Sequence, residues 1–165
     1  MSIKYLLTTL LIGTSVFLQP TVAATADNVH TPPTTQQITT ERARSMADAA
    51  ERAARAQGFA IVISIVDNHG NLKYFHRMDG TSSGSIQVAQ LKAETSARFP
   101  LSTRSLGERS TALPANPYAS LPGFTLLEGG LPIMDANGRH IGGIGISGAT
   151  PELDAQFART ALEEG

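Results

Sequence analysis

Cysteine is absent from the chain, and lysine occurs only as Lys4, Lys73 and Lys92. No disulfide can form and no thiolate can ligate a metal, so the domain must be stable through its core alone. Few lysines, scattered arginines and a formal net charge of −1 exclude the basic footprint that neutralises phosphates along a nucleic acid. Spaced catalytic signatures are missing too. Gly145-Ile146-Ser147-Gly148 lacks the spacing of a nucleophile elbow. No glycine-rich loop has Walker or dinucleotide spacing. The histidines, His30, His69, His76 and His140, form neither an HxH nor an HExxH pattern, so a zinc or iron site has little support.

A hydrophobic run long enough to cross a membrane is also lacking. Tyr5 to Leu18 is apolar apart from Thr, Gly and Ser, yet it falls short of the ~20 residues a span requires. With Lys4 before it and Val22-Ala23-Ala24 after Pro20, it reads as a secretory signal over residues 1–24, with Val22 and Ala24 at the −3 and −1 positions. The mature protein is therefore expected to be periplasmic or secreted, with no membrane span after signal removal. Residues 25–38, rich in Thr, Pro and Gln, read as a flexible leader. Residues 39–165 make one domain.

Within that domain, Thr39 or Thr40 can cap a helix whose apolar positions Ala43, Met46, Ala47, Ala50, Ala53 and Ala54 recur at helical spacing; Gly58 ends it. Phe59 to Val66 reads as a strand apolar on both faces, hence covered on both, the second cover being another subunit. Asp67 to Asn71 is a turn and Leu72 to Met78 a second strand, with Tyr74, His76 and Met78 on one face and Lys73, Phe75 and Arg77 on the other. A helix follows from Ile86 to Phe99, stopped by Pro100. Residues 101–123 form a long connection holding one helical turn around Ser105 to Glu108. Three strands come next: Phe124 to Glu128, Leu131 to Asp135 and His140 to Ser147. Asn137-Gly138 predicts a type I′ hairpin between the last two. Alternating glycines in the final strand let another backbone or a flat ligand approach. Pro151 opens a terminal helix. The expected class is α+β.

Five motifs then acquire meaning together: Asp67-x-x-Gly70, Phe75-x-Arg77-Met78-Asp79-Gly80, Lys92-Ala93 before Phe99, Gly129-Gly130-x-Pro132-Ile133, and Gly142-Gly143-Ile144-Gly145-Ile146-Ser147-Gly148. In this order the chain resembles the GlcG/HbpS family of haem-binding and glycolate-utilisation domains, over about Ile38 to Leu162. The resemblance implies a profilin-like domain with a five-stranded antiparallel sheet, assembly into homo-oligomers, and haem or a related ligand for some members. It also implies that the first and last strands are neighbours, bringing the turns of His69 and His140 to one end of the sheet.

Haem needs a flat apolar slot, cations for two propionates and often an axial ligand. Arg77, Lys92 and Arg98 are the candidate cations. His76, or Met78 on the same strand face, is the candidate metal ligand. Each has a plainer role open to it: His76 as a half-buried strand residue, Met78 as core, Arg77 paired with Asp79 or Glu94. Gly129 and Gly130 leave room for a ligand against bare backbone, or serve a tight turn. The expectation is an exported small-molecule-binding protein, haem first. An enzyme (haem-degrading, or a small-acid lyase or isomerase) using Arg77, Asp79 and Lys92, and a structural or sensory oligomer without ligand, are the alternatives.

Overall fold

A computed structural model describes residues 37–165; the expected signal segment and all but the last two residues of the leader lie outside them. Helix α1 (Thr40–Ala56) begins where Thr39 accepts a hydrogen bond from the Arg42 amide and ends before Gly58, whose φ of +78° suits glycine. Strands β1 (Val62–Asp67) and β2 (Leu72–Arg77) form a hairpin. Helices α2 (Ser83–Arg98) and α3 (Thr103–Thr111) are capped by Ser82 and Ser102. A 3-10 turn at Pro117–Ser120 precedes β3 (Gly130–Met134), β4 (His140–Ser147) and α4 (Pro151–Glu164). Ile38, read as the end of the leader, is instead buried, its amide bonded to the Ile141 carbonyl at 3.2 Å.

The described residues form one antiparallel sheet of four strands, ordered β2-β1-β4-β3. The α+β class stands, but not the five-stranded count. The expected strand at Phe124 to Glu128 has no strand partner, because its amides turn to side-chain hydroxyls: that of Leu127 donates to Thr125 Oγ1 at 3.2 Å. Thr125 N–H donates to Thr95 Oγ1 on α2, and just beyond the segment Gly130 N–H donates to Thr103 Oγ1 on α3.

One face of the sheet carries the main core. Ile61, Ile63, Ile65, Ile144 and Ile146 pack there with Met46 and Ala50 of α1 and Phe157 and Ala158 of α4. The opposite face is covered by α2, through Val66, Ala93 and Ala97. Thus the second cover of β1 is a helix of the same chain, not another subunit. Gly143 and Gly145 explain it: a Cβ on either would collide with the α2 backbone at Ala93 or Ala89. The approaching backbone is the helix itself.

The two hairpins share one device. Asp67 Oδ1 accepts from the amides of His69 and Asn71, both at 2.9 Å, and Asp135 Oδ1 from those of Asn137 and Arg139, at 2.8 and 2.9 Å. Only Gly70 and Gly138 take positive φ in these turns. A type I′ turn needs two such residues; these are three-residue loops in which glycine alone adopts the left-handed conformation. The preceding Asp, through its side chain, stabilises each turn.

Candidate functional site

Where α1 ends and β2 runs out, the chain leaves an open cleft of about 340 Å³, lined by Arg55, Gly58, Phe59, Ala60, Met78 and Asp79. Its parts meet for local reasons. Gly58 turns the chain back so that Phe59 and Ala60 run up to β1, and the Met78 amide bonds to the Ile61 carbonyl at 3.1 Å. Met78 is buried, and its Sδ accepts from the Ile61 amide at 3.3 Å. The sulfur is thereby committed to the scaffold, and Met78 forms a wall of the cleft.

The charged edge of the cleft comes from α1. Arg55 is largely exposed and pairs with Glu51 one turn earlier, its Nε at 2.8 Å from Oε1. The other carboxylate oxygen of Glu51 lies 3.1 Å from His76 Nε2 on β2. One carboxylate therefore holds a guanidinium and an imidazole at once. His76 shares its strand face with Met78, two residues from the cleft wall, and its side chain is 37% exposed.

The other expected site residues are dispersed. Arg77 is exposed and tied to the following corner, its Nε to Thr81 Oγ1 and its Nη2 to the Thr81 carbonyl, both at 2.9 Å. Arg98 sits 3.5 Å from Glu94 and lies over the Phe124 ring at 5.7 Å. Lys92, expected to meet a guest's acid group, is fully buried. Its Nζ lies 2.7 Å from Asp154 Oδ2 and 2.8 Å from the Ile146 carbonyl. Burial lowers the Lys92 pKa and raises that of Asp154, and in each case the partner opposes the shift. Gly129 and Gly130 belong to this junction rather than to the cleft. A Cβ on Gly129, whose φ is +120°, would stand 2.7 Å from Lys92 Nζ.

Arg77 and Lys92 thus do not face one opening. Lys92 bonds to β4, two strands from β2, or about 10 Å at the usual strand spacing. Arg77, Asp79 and Lys92 do not converge either; only Asp79 reaches the cleft. β1 and β4 are antiparallel neighbours with Asp67 opposite Gly142, so the turns of His69 and His140 share one end of the sheet. Among the described residues no three His, Cys, Asp or Glu side chains group to hold a metal ion. Glu51 and Arg55 of α1 were not among the expected site residues. Their i,i+4 spacing was visible, but the packing of β2 beside them was not.

With this geometry established, the kinship is specific. A family model described as haem degrading protein HbpS-like matches residues 38–163. The chain belongs to the HbpS-like family. The 15.0 kDa protein of the dhaT-dhaS intergenic region of Citrobacter freundii is 34% identical over 134 residues, which cover 76% of this chain and 90% of that protein. The crystal structure of a double mutant of HbpS from Streptomyces reticuli superimposes with a TM-score of 0.73 at 28% identity, covering 93% of this chain and 97% of its own. The structure of a PduOC:haem complex gives 0.72 at 28% identity, covering 78% of this chain and 95% of that one. This HbpS-like domain has the four strands and four helices described above.

Proposed function

We propose that this protein is an exported haem- or tetrapyrrole-binding protein acting in sequestration, uptake or sensing, and that it works as a homo-oligomer. The observation that carries the reading is the likeness to PduOC in complex with haem, with 95% of that chain covered. The residues at the cleft fit such a guest. Arg55 offers an exposed guanidinium suited to a propionate. Phe59 and Met78 supply apolar contact, and the His76 imidazole is a half-exposed nitrogen donor on the same side. Haem, when bound, supplies an iron centre and two carboxylates. The cation role passes from Arg77, Lys92 and Arg98 to Arg55, while His76 keeps the metal-ligand role.

Export rests on the signal pattern of Lys4, the apolar run to Leu18 and Val22-Ala23-Ala24; protein recovered from the periplasm or medium should begin at Thr25. Self-association is supported by the exposed Leu72, Leu113, Leu121 and Leu127 and by the open edges of β2 and β3. Haemin titrated into purified protein should give a saturable Soret shift that His76→Ala alters in position. A spectrum identical to free haemin at all ratios overturns the reading.

A further inference from the structure

The carboxylate of Glu51 occupies Nε and Nη2 of Arg55, the guanidinium that lines the cleft. We infer that Glu51 is an internal competitor at this cleft: it holds Arg55, the cation at the cleft, and His76 on β2, until a guest carrying its own carboxylate displaces it. The inference rests on the binding reading above and adds to it a residue that sets ligand specificity. Both oxygens are engaged, Oε1 on the Arg55 guanidinium at 2.6–2.8 Å and Oε2 on His76 Nε2 at 3.1 Å. Arg55 lines the cleft, whereas Glu51 itself does not.

The energetics permit exchange. The Arg55 side chain is 63% exposed and that of Glu51 23%, and an i,i+4 pair in such a setting stabilises a helix only slightly. Moving Arg55 from Glu51 to a guest carboxylate replaces one ion pair by another, so the net gain from the second is reduced by the loss of the first. The guest then leaves Glu51 facing His76 alone. A ligand without a carboxylate gains nothing from Arg55 and leaves the network intact. The cleft should therefore discriminate by the guest's acid groups, and Glu51 should set how strongly.

Iron-free protoporphyrin IX and its dimethyl ester separate this contact from metal ligation, and porphyrin fluorescence reports both. Glu51→Gln keeps the size of the side chain and removes its charge. It should bind protoporphyrin IX about two- to fivefold more tightly than the wild type, the scale of a weak surface ion pair, with no change toward the ester. Arg55→Gln should weaken binding of the diacid, and adding E51Q to it should restore nothing. A merely structural Glu51 would make E51Q weaker toward both probes. Equal or weaker diacid binding by E51Q, or an equal gain for the ester, overturns the inference. If haemin binds the wild type while E51Q behaves like it toward protoporphyrin IX, the competitor role fails and the binding reading stands. Failure of haemin and porphyrin to bind any variant overturns both.

Discussion

Two ionic arrangements in this molecule use similar chemistry in opposite surroundings. Lys92 and Asp154 meet in the interior, joining the helix on one face of the sheet to the first turn of α4 on the other, where β3 has only begun at Gly130. Glu51, Arg55 and His76 meet at the surface beside an open cleft. In the first, neither charge has solvent to fall back on: Asp154 Oδ1 accepts from the Ala149 amide, and Lys92 Nζ donates to the Ile146 carbonyl as well as to Oδ2. In the second, water can replace any contact. The buried arrangement fixes the fold, and the exposed one is free to exchange partners.

The largest test of that contrast removes one interior charge. Lys92→Ala or Asp154→Ala leaves an uncompensated buried ion and should cost about 3–5 kcal/mol, read as a drop in urea midpoint; a loss below ~1 kcal/mol would mean that water reaches the site. Replacing both, as Lys92→Met with Asp154→Leu, should recover much of the loss, since buried pairs are often neutral against apolar substitutes. Next, Gly145→Ala should lower stability by about 1–3 kcal/mol through overpacking against α2, with CD and thermal melting as the measurement.

A smaller effect belongs to Asp67. Burial would raise its pKa, but the amides of Asn71 and His69 and the Asn71 side chain outweigh burial and leave it below 3.8. A carboxyl lowered on folding adds stability above the unfolded value and loses it as pH falls through the folded one. Asp67→Asn should therefore reduce stability at neutral pH and flatten the loss between the unfolded value of 3.8 and more acid pH, as urea midpoints across pH would record. Smallest of all, Glu51→Gln should move stability by no more than about 0.5 kcal/mol while changing ligand affinity. A large stability loss there would make the two ionic arrangements alike.

Much of the fold was legible in the residues. The alanine seam of α1, the isoleucines of β1 and Pro151 at the start of α4 each state a local preference that the tertiary structure keeps. The Gly143 and Gly145 positions announced a close approach but not what approached. The segment 124–128 reads as a strand on composition, yet the hydroxyls of Thr95 and Thr125 take the amides of Thr125 and Leu127 away from the sheet. At the candidate site, the corner of Met78 and Asp79 was legible, as was His76. Its cation was not. Arg77 and Lys92 are neighbours of that corner along the chain, but strand alternation sends one to Thr81 and burial gives the other to Asp154.

By itself the sequence determined the helices, most of the strands, both glycine loops and, through five ordered motifs, the family. Those depend on periodicity, caps and φ preferences carried by neighbouring residues. Only the tertiary structure decided that Lys92 faces Asp154, 62 positions away, and that Glu51 reaches across from α1 to His76 on β2. Strand order and helix placement bring such partners together, and no local spacing encodes a contact between distant segments.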